Sequence, residues 1–366
     1  MKIVDIATTV LNYPHVNQVE DATFKNSLTK GRGQLFVHIK TDDRFEGLGI
    51  GPSSPGVRDI IESTFKDLLI GADPFDIERL WHDMYWRLRS FGNKGIGFSA
   101  LSAVDIGLWD LKAKAFEIPL YKLLGAFTES VPIYGSGGWT NLTEQELLEE
   151  MNSYVSQGIS RVKFKVAKDF GRSERQDLQR LAAVRNSLGD DVAIYVDANY
   201  GYYPKQAIYM AREFEQFQVG WLEEPVLTDD VDGMADVRRS TSIPIAGGEL
   251  ESGKYKFRDL IARGALDIPQ PDVGRVGGIS EWMKVAHLAH SFNLLVAPHA
   301  YQSIHLHLAC ATPNLKVVEY LGQIHECETE WYTEIPKHKD GMWSPFPDKP
   351  GLGLDLDPYA VDKWSV

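Results

Sequence analysis

The 366-residue chain predicts an α/β protein in which parallel strands, each followed by a helix, close into a barrel behind an α+β N-terminal region. Three observations predict this. From about residue 130, eight apolar, β-rich segments recur, each starting roughly 22–31 residues after the one before. Stretches long enough for a helix separate them. Acidic residues end three consecutive segments, as expected of a barrel whose functional side chains gather at the C-terminal strand ends. A doubly wound open sheet is the alternative, but no glycine-rich phosphate fingerprint follows the first segment.

The N-terminal region reads as strands and then helices. Residues 2–11, 34–39 and 45–51 are short β-rich runs, the last two joined by the turn-like Thr41-Asp42-Asp43-Arg44. Between the first two lies the polar stretch Asn12–Arg32. A loop of that length in a compact domain is usually functional or disordered. Helical patterns follow at 57–70, 75–88 and 98–116, the last with Leu101, Val104, Leu108 and Leu111 at helical spacing and ending before Pro119. The eight later segments are 131–136, 161–166, 192–197, 219–224, 243–248, 265–270, 294–298 and 316–320. A run of β-then-helix units implies right-handed parallel crossovers.

Composition excludes several classes of function. Thirty-eight Lys and Arg against 51 Asp and Glu leave a net charge of −13. No basic face of the kind needed to bind nucleic acid or an anionic membrane is expected. Cys310 and Cys327 are too few for a disulfide scaffold, which suits a reducing compartment. The first ten residues carry Asp5 in their apolar run, unlike a signal peptide, and no apolar run approaches the ~20 residues of a membrane span. A cytoplasmic protein acting on a small molecule is expected.

The chemistry is carried by the strand ends. Asp197 ends the third segment, Glu223 or Glu224 the fourth, and Glu249 follows the fifth, with 26 residues from Asp197 to Glu223 and 26 from Glu223 to Glu249. Neighbouring strands lie ~4.8 Å apart, so the three acids would converge and repel unless a cation sits among them. All-oxygen ligands, few in number, favour Mg²⁺. Lys163 and Lys165 are two apart on the second segment and should face the interior together, with Phe164 outward. Crowded ammonium groups lower each other's pKa, which would fit one of them to abstract protons. Asp272 and His299 follow adjacent segments, where the carboxylate would fix the imidazole tautomer. Glu319 on the eighth segment and Asn199 beyond Asp197 are placed to meet a substrate oxygen. His305 and His307 read as structural.

The motifs KFK (163–165), DAN (197–199), EEP (223–225), GGE (247–249), PD with GG (271–272 and 277–278), His299 and Glu319 together resemble the enolase superfamily, and within it the mandelate racemase subgroup. SAVDIGLWDLKAK (102–114) and PLYKLLG (119–125) resemble the segment joining cap to barrel in that family. The resemblance spans nearly the whole chain. It implies a modified (β/α)₇β TIM barrel over about 126–324, an α+β capping domain over about 1–125, and a tail from about 325 that packs back on the cap. It also implies Mg²⁺ on Asp197, Glu223 and Glu249, which selects Glu223 over Glu224. Lys165 and the His299–Asp272 pair become acid/base groups on opposite faces of the substrate, with Lys163, Asn199 and Glu319 beside its carboxylate. A homo-oligomer is implied as well.

The expected reaction is abstraction of the α-proton of a hydroxycarboxylate to an enediolate, followed by loss of water from an acid sugar, giving a 2-keto-3-deoxy acid. Racemisation of a 2-hydroxy acid and cycloisomerisation of a sugar lactone are alternatives through the same intermediate. A non-catalytic barrel would have no reason to keep charge at every one of these strand ends. Muconate-type chemistry is disfavoured, because the neighbourhood after the sixth segment offers Asp272 and Arg275 rather than a lysine. His15, Asn17, Gln18, Lys25 and Asn26 are candidate hydroxyl partners. Trp139, Tyr200, Tyr202 and Tyr203 are candidate cleft aromatics, and Lys25, Lys30, Arg32 and Lys94 candidate cations for a second carboxylate.

Overall fold

The computed structural model describes residues 1–24, 32–90 and 92–366. Strands β1 (Ile3–Tyr13), β2 (Arg32–Thr41) and β3 (Glu46–Pro52) form an antiparallel sheet in the order β1-β2-β3. The helix Ile77–Arg87 and the longer helix Ile96–Ala115 cover its apolar side, where Ile6, Val37, Ile39, Leu101 and Val104 share one core. Alternate glycines of β3 let the long helix approach closely. A Cβ on Gly49 would stand 2.0 Å from the Ala103 carbonyl oxygen. The long helix is buried on nearly every face because it lies between this sheet and the barrel helix Gly278–Ser291.

The barrel is built from β4 (Val131–Gly137), β5 (Arg161–Lys165), β6 (Ala193–Asp197), β7 (Val219–Glu223), β8 (Ile245–Gly247), β9 (Ile268–Pro269) and β10 (Val318–Leu321), paired in the order β10-β4-β5-β6-β7-β8-β9. The segment 294–298, expected as a strand, forms one parallel bridge, Val296 with Leu315. It still bridges the wall between β9 and β10: Ala297 N–H donates to the Pro269 carbonyl (3.2 Å) and Lys316 N–H to that of Val296 (2.8 Å). Prolines shorten this side of the barrel, since Pro269, Pro271 and Pro298 have no N–H for the ladder.

Tyr134, Tyr195, Trp221, Ala246 and Ile268 fill the interior, with Tyr195 stacked on Trp221 at 3.5 Å between ring centroids. A second layer, including Phe164, Val196, Leu222 and Ile245, packs with residues of the surrounding helices. The last part of the chain touches both bodies. Strand β11 (Met342–Trp343) pairs antiparallel with β4, and Ser365 bridges Leu11 of β1. Cys310 and Cys327 are buried free thiols. Among the described residues no helix is long and apolar enough to cross a membrane.

Candidate active site at the barrel mouth

Strand alternation fixes the first half of the site. Tyr195 and Trp221 point inward, so Asp197 and Glu223, two residues on, do the same. Lys165, Asp197 and Glu223 stand level on adjacent strands, because the ladder pairs Lys165 with Asp197 and Asp197 with Glu223. Glu249 joins from just beyond β8, where Gly248 at φ 111° turns the chain back. One carboxylate oxygen from each of Asp197, Glu223 and Glu249 lies within 4.8 Å of the others.

The two lysines face this cluster. Lys163 Nζ bonds Glu223 and stands 2.9 Å from Glu319 Oε1 and 3.6 Å from Asp197 Oδ2. Lys165 Nζ bonds Asp197 and lies 5.2 Å from the centre of the Trp139 ring. The other Glu223 oxygen accepts from Trp221 Nε1 (3.0 Å) and Gln270 Nε2 (2.8 Å). Glu319 Oε2 accepts from the Ala300 N–H (2.8 Å). Asn199 donates its backbone N–H to Asp197 Oδ1 (2.9 Å), and its own side-chain oxygen has no hydrogen-bond partner among the described residues.

The second half lies on loops. His299 Nδ1 stands 2.7 Å from Asp272 Oδ2, and His299 Nε2 stands 3.3 Å from Glu249 Oε2. Asp272 Oδ1 accepts from the Gly274 N–H (2.7 Å). Arg275 Nη1 lies 3.8 Å from Asp272 Oδ2 and 4.0 Å from Glu249 Oε1. All nine predicted site residues therefore meet in one network.

The electrostatics correct one expectation. Crowding does not bring the lysine pair toward neutrality. Burial works against the Lys165 ammonium, but the facing carboxylates, Asp197 first, push it up to about 12. Lys163 is raised well above the ordinary lysine value, as Glu223 and Glu319 outweigh burial. Burial pushes Glu223 up to about 8 against the pull of Lys163. In Asp197 and Glu319 burial is overcome and the lysines hold the carboxyls below their usual range. Burial opposes the charged form of His299, yet Glu249 and Asp272 raise it. The physical reason is the count of charges: six buried carboxylates, including Glu224 and Asp272, face two ammonium groups, one imidazole and the Arg275 guanidinium.

Sequence reasoning passed over Trp221 and Gln270, which orient Glu223. The signal was available for both, since each lies two residues before a site acid on an extended segment. Glu224 is also buried, accepts from the Tyr200 hydroxyl, and is raised well above the ordinary value by burial and then by Glu249. Tyr202 donates to Asp177 (3.0 Å) and Tyr203 is exposed, so neither faces this cluster. His305 and His307 are buried on backbone partners. Lys94 lines a separate cavity with Trp81 and Tyr255. Asn17, Gln18 and Arg32 border a cavity near the site, and His15 packs on Tyr13 and Trp364. Lys25, Asn26 and Lys30 lie outside the described residues.

Comparison with known proteins adds to this picture. Residues 17–125 match the family described as mandelate racemase / muconate lactonizing enzyme, N-terminal domain, and residues 146–360 match the family described as enolase C-terminal domain-like. The chain is 35% identical over 338 residues to 3,6-anhydro-alpha-L-galactonate cycloisomerase of Streptomyces coelicolor, covering 91% of each chain. It is also 35% identical over 336 residues to L-talarate/galactarate dehydratase of Salmonella typhimurium, covering 90% of this chain and 82% of that one. Among solved structures, a racemase from Streptomyces coelicolor A3(2) with bound magnesium superimposes with a TM-score of 0.93 at 32% identity, covering 100% of both chains.

Proposed function

The chain belongs to the enolase superfamily, in its mandelate racemase / muconate lactonizing branch, and from that premise we propose that it is a magnesium-dependent lyase that dehydrates an acid sugar, an aldonate or an aldarate, to a 2-keto-3-deoxy acid. One observation carries the reading. Lys165 and His299 reach the same carboxylate cluster through different members, Lys165 through Asp197 and His299 through Glu249. That gives one site two proton-handling groups with distinct supports.

The residues fit a hard divalent cation. Asp197, Glu223 and Glu249 offer oxygen alone, Glu249 Oε2 accepts no hydrogen bond among the described residues although His299 Nε2 stands 3.3 Å away, and the buried carboxylates outnumber the cationic side chains around them. Those three would hold Mg²⁺. When bound, the ion supplies positive charge to the oxygens of a substrate carboxylate and offsets the field that keeps Lys165 protonated.

Lys163, Asn199 and Glu319 surround the place of that carboxylate. Lys165 Nζ, as the free amine, takes the α-proton, and the C–H electron pair moves into the carboxylate to give the enediolate. The pair then returns and breaks the bond from the β-carbon to its hydroxyl oxygen. A proton from His299 Nε2 accompanies that oxygen, so that one water leaves. Asp272 holds Nδ1, which sets the tautomer and stabilises the imidazolium. The enol left behind tautomerises to the 2-keto acid.

The test is incubation with a panel of aldonates and aldarates and Mg²⁺, assayed for 2-keto acid and for solvent deuterium at the α-carbon. A keto product from one acid sugar is the expected result. If no member of the panel yields product or exchanges its α-proton, the proposal is wrong. A second reading, lactone cycloisomerisation, is favoured by the equal identity to a cycloisomerase and a dehydratase. Ring opening of a sugar lactone without loss of water would select it.

A further inference from the structure

Beside His299 a cavity of about 110 Å³ runs between barrel and cap, its wall including Arg32, Gln34, Arg275, Glu328 and Trp331. The two acids in this wall already have partners. Asp272 is held by His299, and Glu328, which burial pushes up to about 7, accepts from Gln302 Nε2 at 3.0 Å. Arg275 leans toward Asp272 and Glu249. Arg32, the first residue of β2, forms no direct ion pair among the described residues, although its charge reaches the Glu328 carboxyl. It also borders a second cavity of about 270 Å³ with Asn17, Gln18, Ser53 and Gln323, so it stands where the inner space meets a polar vestibule. Trp331 is 1% exposed, and its Nε1 donor has no hydrogen-bond partner among the described residues. A buried donor without a partner is costly unless a ligand or water supplies an acceptor.

We propose that this cavity receives the end of the substrate remote from the reacting carbon, and that Arg32 binds a terminal carboxylate there, which makes the preferred substrate a dicarboxylic sugar acid. The inference rests on the acid-sugar reading and narrows it. A planar guanidinium matches a carboxylate with two parallel hydrogen bonds, and the cap supplies it from the first residue of a strand, paired there with Tyr13 of β1. A neutral hydroxyl terminus would leave the guanidinium facing only Glu328, which burial pushes toward its neutral form.

The test uses galactarate and galactonate, which share a skeleton and differ in the terminal group. With the magnesium-loaded protein, calorimetry should show galactarate binding at least roughly tenfold more tightly than galactonate, the difference expected of one charge-assisted contact. Arg32→Met should remove that preference, and Arg32→Lys should restore part of it while thermal melting stays near that of the parent. Equal binding of the two acids, tighter binding of galactonate, or a preference that survives in Arg32→Met overturns the assignment. Deuterium exchange at the α-carbon, followed in parallel, separates the outcomes. Exchange with aldonates alone keeps the lyase reading and removes Arg32 from it. No exchange with any acid sugar removes the lyase reading, and the binding preference then decides the role of Arg32 on its own.

Discussion

The lysine side and the histidine side of the site are built by different means. On the lysine side every group sits on a strand or one short turn beyond it, and the parallel ladder sets Lys165, Asp197 and Glu223 level. On the histidine side Asp272 follows a strand of two residues, and His299 follows a segment with a single bridge. Their geometry is held from outside the barrel. Ser102 of the long helix accepts from the N–H groups of Gly277 (3.0 Å) and Gly278 (3.1 Å), and Asp105 accepts from the Ser280 N–H (2.9 Å) and hydroxyl (2.6 Å). Trp81 Nε1 donates to the Gly277 carbonyl (2.8 Å). The loop that starts at Asp272 is therefore tied down by the cap. One half of the site is built by the barrel alone, and the other half is tied to both bodies.

The largest expected effects break the site along that line. Lys165→Ala should lower kcat by roughly 10²–10⁴, the usual loss of a general base, and should stop deuterium exchange at the α-carbon. His299→Asn should lower 2-keto acid formation to a similar extent but leave α-exchange measurable, since proton removal precedes loss of water. Equal loss of exchange in both variants would erase the division of roles. Next in size is Gln270→Leu, which removes the donor that orients Glu223. Calorimetric magnesium affinity should fall by about 10–100-fold, as for other groups that hold a metal ligand in place. An unchanged affinity would show that Trp221 alone suffices.

The same contrast explains what was legible in the sequence. Asp197 and Glu223 could be read because strand alternation and the even 26-residue spacing are local properties, and the Lys163/Lys165 pair followed from a period of two. Alternation could not decide between Glu223 and Glu224. Glu224 leaves the strand at φ 45°, and that turn buries it beside the cluster as well. Glu249 was visible as a residue, but its reach depends on the left-handed Gly248. The ties from Ser102 and Asp105 span 176 residues in the longest case, and no local pattern carries such a pairing. Within the cap, helix spacing found the long helix, and Ser102 and Asp105 lie in the motif 102–114, but nothing in the motif says which groups they hold. Arg32 could be named only as one cation among four, because the cavity that singles it out is formed by cap and barrel together.

Smaller effects probe the tie itself. Ser102→Ala leaves the Gly277 and Gly278 N–H groups without their acceptor in a buried place, which costs about 1–3 kcal/mol per unsatisfied group. Chemical denaturation should report that loss. If the cap positions the histidine side specifically, 2-keto acid formation should also fall more than α-exchange does. Equal decline of the two rates would assign Ser102 to stability alone.

The smallest effect at neutral pH, and one that grows on acidification, concerns His307. It is buried in the helix that follows His299, where Nδ1 accepts from the Tyr121 N–H (3.3 Å) and Nε2 stands 3.1 Å from the Leu352 carbonyl. Burial pushes its pKa down from 6.5 to about 4. Between those values the unfolded chain binds the proton and the folded one does not, so the folded state loses stability as pH falls from 6.5 toward 4. His307→Gln keeps an acceptor and a donor in similar places and has no proton to gain. Its stability, followed by denaturant unfolding at stepped pH, should therefore fall less steeply than that of the parent across the window. The slope should shrink without vanishing, because burial pushes His305 and His325 down to about 4 as well. An identical slope in the variant would mean that His307 takes up its proton in the folded state, and that the junction it spans is looser than its buried hydrogen bonds imply.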